Sequence, residues 1–304
     1  LVLHSHPLVA NALTCNADAE RLAAELLGDE AILVPYIDPG VPLARGVAAA
    51  RDAYTERTGR PAPGITLLRN HGIIVSGNSA AEITERTLRL TGAIREAIDN
   101  ATIPDAVEGS SGSELTRVRN AVAPTLRGLL GGADALAVVT SDAGDLVRSV
   151  TTTPAGQAIL TGGPLIPDQI VYARSFPSVV GLASYPDPAV AATLAVEAFR
   201  AEHGKDPVIV VVPGLVAFGA GRDLAAAQNA LATFADALRV ASDAHRIGRV
   251  QVLKAAERGF IENWEAEAYR QSVAARAGSG RLAGQAVMIT GAAPGFCLAI
   301  AQEL

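Results

Sequence analysis

Cysteine is almost missing from this 304-residue sequence, with Cys15 and Cys297 its two instances. That leaves no material for a disulfide framework and fits a reducing, cytoplasmic compartment. No apolar run approaches the ~20 residues that a bilayer-crossing helix needs, so a membrane is not an expected partner. A basic excess is also absent: 25 Lys and Arg stand against 31 Asp and Glu, for a net charge of −6. The chain therefore lacks the electrostatic footprint of a nucleic-acid binder. There is no initiating methionine and no readable signal peptide. Leu1 lies inside an apolar run and the final "AIAQEL" reads as the middle of a helix, so the expectation is an internal fragment of a longer protein. What is present is a globular composition, 49% hydrophobic and 18% charged, with ample core for one large domain or two.

The most informative local feature is "LVLHSHP" at residues 1–7. Three apolar residues closed by Pro7 read as a β-strand. Residues i and i+2 of a strand share a face, so His4 and His6 can converge on one point, as two ligands of a divalent cation must. Alone, such a pair is as often hydrogen-bonded at a surface. A third imidazole, His71, ends the apolar run "LLRNHG". Three histidines with one open position are the form of a catalytic zinc site rather than a closed structural one. The alternative is three satisfied core histidines.

Along the chain, "NADAERLAAELLG" has helical periodicity and a glycine stop, and "EAILVPYI" is a short strand. "PLARGVAAARDAYTERTG" is a helix, "GITLLRNHGIIVSG" is strand, turn, strand, and "SAAEITERTLRLTGAIREAI" is a long helix. Ser79 and Glu82 have the capping-box spacing at its start. "IPDAVEGSSGSE" reads as a linker. The middle third echoes the first. "AYTERTGR" parallels "AFRAEHGK", and Gly72 and Gly77 are spaced like Gly214 and Gly219. This pattern suggests a duplicated unit in which Pro213 stands in the place of His71 and cannot ligate a metal. A common strand–turn–strand–helix shape is the competing reading. After "ARAGSG", the segment "LAGQAVMITGAAPGFCLAIAQEL" reads as strand, glycine turn and helix. Its helix would offer free N–H groups to a pyrophosphate.

"HSHP" with a helix behind it, then "LLRNHGIIVSGNS" with another, resembles the class II aldolase/adducin family. The resemblance covers about the first third and implies zinc, or another divalent metal, on His4, His6 and His71. It also implies a three-layer α/β/α domain with a mixed, largely antiparallel sheet, assembled into homo-oligomers. That family carries its catalytic glutamate and a phosphate loop upstream of the "HSHP" strand. The general base is therefore expected before Leu1, and no acidic residue here takes the role by motif. Glu82 and Glu85 read as the solvated face of a helix. The last segment is similar to the start of a short-chain dehydrogenase, a Rossmann fold. Thr290, Gly291 and Gly295 match its cofactor turn, while Cys297 replaces the third glycine.

The order of segments resembles the bifunctional rhamnulose-1-phosphate aldolase/alcohol dehydrogenase group. This implies three parts: an aldolase-like metal-binding domain over 1–104, a middle α/β domain over 114–275, and the first β–α unit of a Rossmann domain over 281–304. The implied reaction is zinc-dependent retro-aldol cleavage of a small sugar 1-phosphate to dihydroxyacetone phosphate and an aldehyde. An NAD(P)-dependent dehydrogenase in the longer protein would then act on the aldehyde. A sugar-phosphate epimerase or dehydratase on the same scaffold, and a non-enzymatic adducin-like interaction module, are the alternatives. Among the remaining residues, His203 reads as a helix C-terminal group, His245 as an exposed helical residue and Trp264 as a packing anchor. Cys15 reads as a small buried residue, with a reactive thiol as the alternative. Asn70 reads as either a support for a ligand or a turn residue.

Overall fold

The computed structural model describes residues 1–101, 112–132 and 136–264. Within Leu1–Glu262, which is one compact unit, the described chain is a mixed α/β structure. Its first half runs β1 (Val2–Ser5), α1 (Leu8–Thr14), α2 (Ala19–Leu27), β2 (Ala31–Val34), α3 (Val41–Thr58), β3 (Ile65–Leu68), β4 (Gly72–Ser76) and α4 (Ala80–Asn100). The second half runs α5 (Gly112–Leu129), β5 (Val138–Asp142), α6 (Asp145–Val150), α7 (Pro154–Gln157), α8 (Pro167–Ala173) and β6 (Ser178–Val179). It continues through α9 (Pro188–His203), β7 (Ile209–Val212), β8 (Val216–Gly221), α10 (Leu224–Ile247) and α11 (Ala255–Glu262). Among the described residues no helix is long and apolar enough to cross a membrane. The glycine turn at Thr290, Gly291, Gly295 and Cys297 lies outside the described residues.

The two halves carry four-stranded sheets of the same design, β1-β4-β3-β2 and β5-β8-β7-β6. In each, the first three strands in this order are antiparallel neighbours and the last pair is parallel. The central hairpins also match. Leu68 pairs with Gly72 across a three-residue turn, and Val212 pairs with Val216 across another. The middle turn residue is left-handed in both, Asn70 at φ 49° and Gly214 at φ 75°. This register corrects the sequence alignment by two positions. Asn70 corresponds to Gly214 and His71 to Leu215, not to Pro213. Following the β1 and β5 pairings, Ser141 occupies the place of His4 and Ala143 that of His6. The second half thus presents a hydroxyl, a methyl and an isobutyl group where the first presents three imidazoles.

Local sequence accounts for these elements. The strands β3 ("ITLL") and β7 ("IVVV") are buried throughout, and such short continuous apolar runs suit central strands. Ser79 caps α4 by accepting from Glu82 N at 3.2 Å, and Asp223 caps the corresponding α10 by accepting from Ala226 N at 2.8 Å. The Glu82 carboxylate in turn accepts from Asn78 N at 2.7 Å, so it serves the cap as well as the surface. Residues Ile65, Leu67, Ile73 and Val75 pack with α1, α2 and α4. Each such fully buried aliphatic side chain is worth ~1.5–3 kcal/mol. In the second sheet, Ile209, Val211 and Ala217 join the core with α10, while Val210, Val212, Val216 and Phe218 join another with α5 and α9.

The first turn of chain after β1 is α1, which has no polar face: Ala10 to Thr14 are all buried. It packs chiefly on α10 of the second half, and the segment after α10 stitches the halves further. Ala17 N donates to Arg249 O at 2.7 Å and Gln251 N to Cys15 O at 2.8 Å. The fully buried Asn16 amide donates to Ala244 O at 2.8 Å and accepts from Asp18 N and Arg249 N, both at 3.0 Å. His245, expected to be exposed, is half-buried in the last turn of α10.

Candidate metal centre

His4 lies within β1, and His6 lies one residue past its end. The rings still turn inward together, because each is held by a second bond. His4 Nδ1 donates to Ile73 O at 2.9 Å on the paired strand β4. His6 Nδ1 donates to Asp168 Oδ2 at 2.6 Å. A carbonyl and a carboxylate can only accept, so both Nδ1 atoms carry a proton, and the neutral form of each ring presents a bare Nε2. These two Nε2 atoms face each other at 3.2 Å. Two lone pairs at that distance repel unless a proton or a cation lies between them.

His71 supplies the third ring, with centroids 5.2 Å from His4 and 5.0 Å from His6. It is 7% exposed, and its Nδ1 is buried without a hydrogen-bond partner among the described residues. Burial, with His6 and His4 beside it, pushes its pKa down to about 4, so the ring is neutral near pH 7. One nitrogen from each of the three histidines can be chosen so that all lie within 4.8 Å of one another.

The closest donor pair has the spacing that a tetrahedral cation requires. Zinc–nitrogen bonds of ~2.0–2.1 Å at tetrahedral angles put ligand nitrogens about 3.3 Å apart, close to the His4–His6 spacing of 3.2 Å. The Nδ1 bonds are of the kind that fix tautomer and aim in ligating histidines. Gly72 completes the fit: a Cβ there would stand 2.4 Å from His6 Cδ2 and 2.6 Å from Ser5 O, so a side chain would displace the ring.

Asn70 builds the turn that presents His71. Its backbone is left-handed, a conformation that Asn tolerates better than most residues. Its side chain donates to Leu165 O at 2.9 Å and Gln251 O at 2.7 Å, and its backbone N donates to Thr14 O at 3.0 Å. It therefore forms the turn, and its side chain ties that turn to the segments at Leu165 and Gln251. Asp168 is the residue that sequence reasoning missed. It stands in the first turn of α8, 162 residues from His6, and no local pattern links the two. Its carboxyl is held below the usual aspartate range, first by the hydrogen bond from His6, against the opposing effect of burial.

Residues 1–98 match the family described as Class II Aldolase and Adducin N-terminal domain. All three histidines fall inside this aldolase/adducin segment, and Asp168 falls outside it. The chain is also 20% identical, over 322 aligned positions, to "Uncharacterized oxidoreductase YuxG" of Bacillus subtilis (strain 168). That alignment covers 96% of this chain and 45% of the relative, so the chain spans less than half the length of the protein it matches. No solved structure matches. The other residues singled out in the sequence stand away from this role. Cys15 is fully buried, its thiol pushed up to about 12 by burial, and its Sγ faces Leu165 O at 3.7 Å. It is a packing residue and not a nucleophile. His203 stacks on Phe176 at a centroid distance of 5.2 Å, one residue before the left-handed Gly204 that ends α9.

Proposed function

We propose that the aldolase/adducin segment is the metal-binding part of a lyase that cleaves a phosphorylated ketose by a retro-aldol reaction. In the longer protein, the aldehyde released would pass to an NAD(P)-dependent dehydrogenase. The reading rests on the 3.2 Å approach of His4 Nε2 to His6 Nε2, with both Nδ1 atoms anchored. A divalent cation bound by these nitrogens and His71 would supply Lewis acidity toward the carbonyl and neighbouring hydroxyl of a ketose. The chain's own residues hold that geometry before substrate arrives. Ile73 O and the Asp168 carboxylate keep the lone pairs aimed, and burial keeps His71 neutral. Asp168 already accepts from His6, so it is a positioning residue and not a free base. The general base is assigned upstream of Leu1, as the resemblance implies. The dehydrogenase is supported by the naming of the Bacillus relative as an oxidoreductase and by "ITGAAPGFC" at residues 289–297.

The test uses the full-length protein. Metal analysis should find one zinc or other divalent ion per chain, and rhamnulose 1-phosphate should yield dihydroxyacetone phosphate. His71→Ala should abolish both metal retention and cleavage. Undiminished cleavage by the metal-stripped protein would refute the proposal.

A further inference from the structure

A cleft of about 570 Å³, counting its open mouth, runs between α1, α8 and α10. It shares a wall with the metal centre, because His6 and Asp168 both line it. We propose that this cleft seats the uncharged, hydroxyl-bearing end of the substrate, with Asn11, Thr233 and Asp236 as the residues that recognise it. The inference rests on the metal-lyase reading for the identity of the substrate, but the cleft itself can be tested separately.

Three observations carry it. The first is an unused donor. Asn11 is 1% exposed and lines the cleft, its Oδ1 accepts from Thr14 Oγ1 at 3.1 Å, and its Nδ2 has no partner among the described residues. A buried amide N–H left unmade costs about 1–3 kcal/mol, so an acceptor such as a hydroxyl oxygen is the natural complement. The second is charge. No Lys or Arg lines the cleft, whereas Asp168 and Asp236 both do. A phosphate dianion is repelled by such a wall, while hydroxyl groups can donate to it. A phosphorylated ketose that uses this cleft must therefore enter it by the end remote from the phosphate. The third is the mixed lining. Leu8, Ile166, Ala237 and Val240 offer apolar contact beside these polar groups, as suits the C–H and methyl surface of a sugar chain.

The division of labour follows the two halves. Thr233 and Asp236 belong to α10, and the second half, which has no triad of its own, supplies most of the cleft wall. The first half supplies the ligands and Asn11.

The experiment is calorimetric titration of the zinc-loaded protein with two probes, L-rhamnulose as a neutral ketose and dihydroxyacetone phosphate as the charged half of the product. Thr233→Trp places an indole in the cleft from a half-buried position. Asn11→Asp keeps the acceptor for Thr14 and replaces the free amide with a carboxylate oxygen. Both variants should weaken L-rhamnulose at least tenfold, leave dihydroxyacetone phosphate within twofold, and retain zinc. Unchanged ketose affinity in both variants, an equal loss for both probes, or no ketose binding by the unaltered protein would overturn the proposal. Loss of the metal reading is separable: it would show as absent zinc, while the ketose titration would still report on the cleft.

Discussion

Removing the Asp168 carboxylate should weaken the metal centre without unfolding it. Asp168→Ala deletes the acceptor 2.6 Å from His6 Nδ1 and leaves all three candidate ligands in the chain. The ring then loses the bond that fixes its tautomer and its aim, and water competes for the exposed N–H. Loss of such a supporting bond costs about 10- to 100-fold in metal affinity, or roughly 1.4–2.7 kcal/mol. Asp168→Asn keeps an oxygen acceptor and should fall at the lower end. The assay is competition for zinc against a chromogenic chelator near pH 7, with thermal melts of the metal-free proteins to establish that the fold is intact. The sign of the pH dependence also follows. The folded carboxyl of Asp168 is held below its ordinary value by His6. Its contribution is complete above the ordinary aspartate range and is lost only as pH falls through the lowered value. The affinity gap between wild type and Asp168→Ala should therefore carry no titration of Asp168 itself from about pH 6 to 8. A zinc affinity within twofold of wild type, in an Asp168→Ala protein that melts normally, would refute the brace.

Asn70→Ala should destabilise the chain by about 2–4 kcal/mol in urea unfolding, from two lost bonds to buried carbonyls and the left-handed backbone. Asn70→Gly should recover only the backbone share, and equal stability of both variants with wild type would show that the side-chain bonds contribute nothing. In a Cys297→Ser background, Cys15 should resist Ellman's reagent at pH 8 in the folded protein and react fully in guanidinium, because its thiol is buried and pushed up to about 12. Rapid reaction in the native state would contradict that burial.

The histidine cluster was legible in the sequence because its signals are local. A two-residue spacing puts His4 and His6 on one side of an extended chain, and the string Asn-His-Gly at residues 70–72 encodes a left-handed turn residue, the third imidazole and a position too crowded for a Cβ. The helix α1 was not legible. It is short and buried on every side, so it lacks the polar face on which helical periodicity depends. The likeness of the two halves was visible, but its register was misread. Two glycine pairs five residues apart invited one alignment, whereas the strand pairing fixes another, two residues away, in which Leu215 replaces His71. His245 was expected at the surface because its neighbours in sequence are polar, yet it sits half-buried in the last turn of α10, beside the buried Asp243 and Ala244. Asp168 was beyond reach for a different reason, since its bond to His6 exists only after the two halves have packed.

That last bond has a consequence for the protein's mechanics. The imidazoles belong to one half, while Asp168, which steadies His6, and the carbonyls of Leu165 and Gln251, which hold the Asn70 turn before His71, belong to the other. Binding free energies are reciprocal, so a cation gripped by the first half must also clamp α8 in its docked position. Zinc loading should slow amide exchange along α8, and anything that pries α8 loose should be felt as escaping metal.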